Sequence, residues 1–222
     1  MDQIKEEILQ SLSQQYTTAH FACAGQVPDA PNPGLVIEGL GIFGFPLSQR
    51  EAQVIISKCR KSPVGKGTET LLDDKVRKSW ELNPSQFSIQ NARWRTCIES
   101  LLSKVYGELG LTCGRANVRA EPYKLLVYEE GAFFKPHQDS EKTPGMFGTM
   151  VVSLPSQHEG GNVILTHNKS VKVYDSSQNS NLVAGTSFGA WYSNVYHEVK
   201  AVTSGYRVVL TYNLVQDTSM IR

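Results

Sequence analysis

Apolar residues recur along the chain with two different periods, and the change from one to the other divides it. In residues 2–15, Ile4, Ile8, Leu9 and Leu12 fall at helical spacing among acids and glutamines, as in an amphipathic helix that lays one stripe on a larger body. Pro28, Pro31 and Pro33 make a turn-rich passage, and LVIEGLGIF then predicts a strand over 35–38. Ser48 is placed to cap a helix reaching about Lys58. A helix of about six turns from near Gln86 to Leu109 follows from Ile89, Trp94, Ile98, Leu101, Leu102 and Val105 on one side. Gly107 and Gly110 mark its end. Between the two helices, residues 62–84 are polar and glycine-bearing with no sustained period, which predicts a long loop or a short hairpin. Long ordered loops often carry specificity.

After Cys113 the pattern shortens to period two. VRAEPYKLLVY, FGTMVVSL, NVILTH, SVKVYD, AWYS, YHEVKAVT and YRVVLTYNLV are short β-rich segments separated by Gly, Pro, Asn and Ser. So many strands in about 100 residues indicate a sandwich or barrel. Helices first and an antiparallel β-body second make the fold class α+β with a jelly-roll core. We read residues 1–222 as a single catalytic domain, with 1–117 as helical support and substrate entrance and 118–215 as the core.

Composition narrows the function classes. A chain of 222 residues with 40% hydrophobic content can bury one sizeable core. Its 22 basic and 21 acidic residues leave a formal charge of +1, too little for a field that gathers nucleic acid or an anionic membrane, so neither is expected as a partner. Cys23, Cys59, Cys97 and Cys113 are scattered without a CxxC pair, which argues against a zinc knuckle or a disulfide framework and for a reducing compartment. The opening MDQIKEEILQSLSQQY is polar where a secretory signal needs an apolar stretch, and no apolar run approaches membrane-spanning length; the expectation is an intracellular protein. The chain ends directly after a strong strand pattern, which leaves room for a continuation.

Candidate chemistry is concentrated in YEEGAFFKPHQDSEK. His137 and Asp139 are two apart, and on an extended chain such positions project to one face, so both can reach one metal. A third ligand must come from elsewhere, and His197 lies on another predicted strand, with 57 residues between it and Asp139. Two imidazoles and a carboxylate on one side of a metal form the facial triad of non-haem Fe(II) oxygenases, which leaves positions for co-substrate and oxygen. A closed zinc site would use four protein ligands instead. Arg207, ten residues past His197, is a fixed guanidinium able to hold the far carboxylate of a dicarboxylate bidentately.

Over about residues 118–215 these features resemble the 2-oxoglutarate and Fe(II)-dependent oxygenase superfamily, in its prolyl 4-hydroxylase-like branch. The resemblance extends to Tyr128, Gly131 and Phe134 before the HxD pair, and to the paired Gly160 and Gly161 between the metal strands. It implies a double-stranded β-helix with the metal between its sheets and N-terminal helices buttressing the outside of the major sheet. It further implies Fe(II), with 2-oxoglutarate and O2 as co-substrates, and release of succinate and CO2. Position by position, His137, Asp139 and His197 would hold the metal, Arg207 would pair with the distal carboxylate and Tyr128 would bond near the co-substrate. Thr211, on the strand face of Arg207, and Thr149, on the strand after HxD, would add polar contacts. Collagen-type prolyl hydroxylases usually have Lys where this chain has Arg207, so their substrate is not implied.

The expected reaction is oxidation, most simply hydroxylation, of an unactivated C–H bond in a small molecule such as an amino acid, or in a protein side chain. Desaturation or oxidative ring closure would use the same site. A non-catalytic jelly-roll binding or sensing module is the rival from another class, and the intact ligand set with Arg207 argues against it. A cupin-like isomerase would show an HxH pair and a later Glu. His20, His158 and His167 have no partner at ligand spacing and read as surface or turn residues. Trp191 and Tyr192 read as core, and Lys66, Arg77 and Trp80 as a solvated loop that could otherwise meet an anionic substrate.

Overall fold

Alternation along the strand Arg207–Gln216 sets the architecture. Val208, Leu210, Tyr212 and Leu214 point into one apolar cluster, and Val209 points into a second on the opposite face. A strand covered on both faces must lie inside a layered structure. In this computed structural model, which describes residues 20–66, 69–111 and 118–216, that strand occupies the middle of a seven-stranded antiparallel sheet. The order across it is Ala22–Gln26, Ser187–Tyr192, Met146–Ser153, Arg207–Gln216, Val118–Tyr128, Trp80–Leu82 and Arg60–Lys61. A five-stranded sheet faces it, in the order Ser170–Tyr174, Val163–His167, Tyr196–Val199, Phe133–His137 and Arg77–Lys78.

The cluster between the sheets joins Leu126, Tyr128, Val151, Trp191 and Val209 of the larger sheet to Val163, Leu165, Tyr174 and Val199 of the smaller. The cluster on the outer face of the larger sheet is filled by Ala52 and Ile55 of the helix Gln49–Ile56 and by Trp94, Ile98, Leu101 and Val105 of the helix Ala92–Glu108. Burial of each such aliphatic or aromatic side chain contributes roughly 1.5–3 kcal/mol. Trp94 also donates its Nε1–H to the Tyr212 hydroxyl at 3.0 Å, which fixes helix against sheet. The jelly-roll core buttressed by helices is therefore the fold, and the strand Leu35–Ile37 and the Ser48 cap are where the pattern placed them. Ser48 and Glu51 form a reciprocal capping box.

Two expectations need correction, and a third lies outside the described residues. The long helix begins at Ala92 and not near Gln86, because Pro84–Gln86 is a 3-10 turn, Phe87–Ile89 is a strand paired with Leu35–Ile37, and Asn91 supplies the cap. Ile89 thus owes its burial to that strand, and Gly107 lies within the helix. The 62–84 passage is not a single loop: it holds the hairpin Val64–Lys66 and Glu69–Leu71 and supplies one short strand to each large sheet. The amphipathic segment 2–15 lies outside the described residues, among which no helix is long and apolar enough to cross a membrane.

Candidate metal and co-substrate site

Pairing in the smaller sheet places His137 directly opposite His197, with Leu165 on the other side of His197. The ladder is irregular between Phe134 and His137, where Pro136 has no N–H to give. That irregularity lets the Phe134 and His137 rings stack at 3.5 Å although they are three residues apart. Asp139 lies just past the end of its strand. Its carboxylate is held by Thr149, whose hydroxyl donates to Oδ2 at 2.7 Å from the neighbouring strand Met146–Ser153. Gln138, between the two ligands, donates its side-chain amide to the Asn194 carbonyl at 2.6 Å and ties the turn down.

The ligand atoms of His137, Asp139 and His197 lie within 4.8 Å of one another. His197 Nε2 is 3.7 Å from Asp139 Oδ2. On each imidazole the other nitrogen is committed: His137 Nδ1 donates to the Lys135 carbonyl at 2.8 Å and His197 Nδ1 to the Val195 carbonyl at 3.2 Å. A carbonyl only accepts, so both rings are fixed as the tautomer with a free Nε2 lone pair. Burial and the neighbouring His197 push the His137 imidazolium well below its ordinary 6.5, so the ring is neutral and ready to ligate. Two imidazoles and one carboxylate fit Fe(II), and three protein donors leave positions open. His197 is buried whereas His137 and Asp139 are half-exposed, so the open side faces outward past those two.

Arg207 begins the central strand on its inner face and is 1% exposed. Its Nε donates to the Ser176 hydroxyl at 2.8 Å, its guanidinium carbon lies 5.4 Å from the centre of the Tyr128 ring, and Nη2 has no partner. No carboxylate pairs with it among the described residues. A buried cation with an unused donor is costly unless an anion completes it, and a dicarboxylate does so. Gly161, at φ +68°, lies against this side chain: a Cβ there would stand 2.9 Å from Arg207 Cδ.

The other expected residues fall in different places. Thr211 is engaged with the Lys124 backbone, accepting from its N–H at 3.0 Å and donating to its carbonyl at 3.2 Å. Thr149 contacts Asp139, as above. Trp191 is buried with its ring 4.9 Å from that of His197, and Tyr192 donates to the Leu109 carbonyl. Arg77 is not a solvated loop residue, because its guanidinium covers the Phe134 ring at 4.5 Å and donates to Pro63 and Ser79. Trp80 donates to Glu129. His158 is not a surface residue: it is 3% exposed and bonded to Ser156 and Ser176. No local pattern marks His158 or Ser176, because the partners that give them a role are distant in the chain.

Residues 123–215 match the family model described as 2OG-Fe(II) oxygenase superfamily. A prolyl hydroxylase from Trichoplax adhaerens, solved in complex with a hypoxia inducible factor oxygen degradation domain peptide fragment, is 17% identical; the alignment covers 97% of this chain and 92% of that one, with a TM-score of 0.52. At that identity the likeness concerns the fold. A Pseudomonas putida prolyl-4-hydroxylase is 13% identical over 92% of this chain and 96% of its own, with a TM-score of 0.48. The viral collagen prolyl hydroxylase from Paramecium Bursaria Chlorella virus-1, solved with 2OG, is 16% identical over 89% and 97%, with a TM-score of 0.47. No match is found among curated proteins.

Proposed function

We propose, for a chain whose residues 123–215 belong to the 2OG-Fe(II) oxygenase superfamily, that it hydroxylates an unactivated C–H bond of an amino acid or comparable small molecule, or of a protein side chain. The enzyme is an oxidoreductase that uses Fe(II), 2-oxoglutarate and O2. The observation that carries the reading is the pair of imidazoles locked with Nε2 free beside Asp139. When bound, the iron with its 2-oxo acid supplies the oxidising chemistry. The protein contributes binding and orientation. His137, Asp139 and His197 would hold the metal, Thr149 orients Asp139, and the buried Arg207 beside Tyr128 would receive the distal carboxylate. Leu126, Val151, Leu165, Trp191 and Val209 belong to the apolar cluster packed between the two sheets.

The test is an anaerobic titration of metal-free protein with Fe(II) and then 2-oxoglutarate, followed by the visible charge-transfer band of a chelated 2-oxo acid. The expected result is a band that His137→Ala abolishes, and succinate formation that a cognate substrate accelerates. Absence of the band in folded, iron-loaded protein would overturn the reading in favour of a non-catalytic binding module.

A further inference from the structure

Behind Arg207 lies a second tier of polar side chains that touches neither the metal ligands nor open solvent. Ser176, 1% exposed, accepts from Arg207 Nε at 2.8 Å. His158, 3% exposed, has Nε2 at 3.1 Å from the same Ser176 oxygen and Nδ1 at 2.8 Å from the Ser156 carbonyl. The proton directions follow from the end points. The carbonyl only accepts, so His158 carries its proton on Nδ1. A neutral ring then has an Nε2 that accepts, so the Ser176 hydroxyl proton points at His158. The Ser176 lone pairs are thereby turned toward Arg207. The chain reads Arg207 Nε–H to Ser176 Oγ–H to His158 Nε2, with His158 Nδ1–H anchored on Ser156.

We infer that His158 and Ser176 are positioning residues for 2-oxoglutarate, setting the guanidinium of Arg207 so that its partnerless Nη2 meets the distal carboxylate. The inference rests on the proposed role of Arg207. Three features of the surroundings leave the guanidinium few alternatives. Gly161 bounds the stem, the Tyr128 ring bounds the plane, and Ser176 takes Nε, so the donors left over face one way. An aliphatic or aromatic residue at 158 would free the Ser176 hydroxyl to rotate, and its proton would then compete with the hydrogen bond that orients Arg207. His158 also joins separate parts of the chain: its N–H reaches Ser180 Oγ at 3.3 Å in the loop that carries Ser176, and its strand pairs with Val202–Gly205 immediately before Arg207. The link therefore runs from that loop to the start of the central strand.

The experiment measures dissociation constants by calorimetry on the Mn(II)-loaded protein, with two probes: 2-oxoglutarate, which has the distal carboxylate, and oxalate, which chelates the metal but has none. Ser176→Ala is expected to weaken 2-oxoglutarate about tenfold, the worth of one hydrogen bond to a charged group. His158→Phe is expected to weaken it by about fivefold or more, with little further loss when combined with Ser176→Ala. Oxalate should bind every variant as it binds the parent. His158→Gln, which keeps an acceptor facing Ser176, should recover most of the affinity, and should His158→Phe fail to fold, Ser176→Ala alone decides the outcome. Equal losses for the two probes, or 2-oxoglutarate affinity within about twofold of the parent in both single variants, would overturn the positioning role. A parent that binds oxalate but not 2-oxoglutarate would instead overturn the proposed role of Arg207, and a parent that binds neither would overturn the proposed metal site.

Discussion

Thr149 donates its hydroxyl proton to Asp139 Oδ2 at 2.7 Å, joining the strand Met146–Ser153 to the turn that follows His137. Asp139 stands beyond its strand, so this bond orients the carboxylate toward the two imidazoles. Thr149→Val preserves shape and removes the donor. Fe(II) affinity should fall about 10- to 100-fold, as is typical for partners of metal ligands, while Thr149→Ser stays near the parent. Metal-binding titration at fixed pH checks this, and unchanged affinity in Thr149→Val would sink it.

Arg207 is buried, its Nη2 has no partner, and no carboxylate pairs with it among the described residues. Replacement of even a paired buried charge, together with its partner, by apolar groups of similar volume is often neutral or stabilising by roughly 1–4 kcal/mol, and an unpaired one has no Coulombic gain to lose. Arg207→Met should therefore melt above the parent in the absence of ligand and lose the stabilisation that 2-oxoglutarate gives the parent by mass action. Thermal melts of the Mn(II)-loaded proteins with and without 2-oxoglutarate decide it. A variant less stable than the parent without ligand would refute the account of an uncompensated charge.

Gly160 and Gly161 are adjacent but separable. A Cβ at Gly160 would strike the Ala201 carbonyl at 2.5 Å, whereas at Gly161 it would meet the Arg207 and Val202 side chains at 2.9 and 3.0 Å. Both have positive φ, where an added Cβ is strained. Gly160→Ala is expected to destabilise by about 2 kcal/mol or more, and Gly161→Ala by about 1–2 kcal/mol. Beyond that, Gly161→Ala should weaken 2-oxoglutarate while oxalate affinity stays as in the parent. Denaturant unfolding and calorimetry separate the two effects.

His158 gives stability a pH dependence. Burial, with the Arg207 charge nearby, lowers its pKa from 6.5 to about 4, against the opposing pull of the hydrogen bond to the Ser156 carbonyl and, more weakly, of Asp175. Below 6.5 the unfolded chain takes up a proton that the folded one refuses, so this contribution is whole above 6.5 and is lost as the pH falls through about 4. The span corresponds to at most about 3 kcal/mol. Urea unfolding between pH 7.5 and pH 4.5 should show that slope in the metal-free parent and a shallower one in His158→Gln. Parallel slopes would remove His158 as its source.

Much of this organisation is legible in the sequence, for identifiable reasons. Strands covered on two faces write a dense apolar record, and the segments 118–128 and 207–216 carry it. His137, Asp139 and His197 are recognisable because metal ligation constrains residue type and spacing together. Legibility fails where tertiary pairing decides. Arg77–Lys78 is only two residues long and exists because Phe133 and Phe134 lie beside it. Ile89 satisfies a helical period by coincidence and is a strand residue because Leu35 is its partner. The place of Thr149 on the strand after HxD is legible, but its hydrogen bond to Asp139 is not, because Asp139 reaches it only through the fold. His158 reads as an isolated polar residue because Ser176 reaches it only after the intervening strands have folded back.

The placement of Arg207–Gln216 between Val118–Tyr128 and Met146–Ser153 also bears on how the molecule reaches its native state. The largest blocks of pairing join segments separated by tens of residues, and in the major sheet the strand nearest the C-terminal end fills the centre. Chains dominated by such distant pairings fold slowly, because the entropy of loop closure is lost before the contacts that compensate it form. Until that strand docks, the two halves of the larger sheet are exposed edges. If Arg207 binds the co-substrate as proposed, ligand recognition waits on the docking of the central strand: an intermediate lacking that strand also lacks Arg207, and 2-oxoglutarate should act on the unfolding rate and leave the folding rate unchanged.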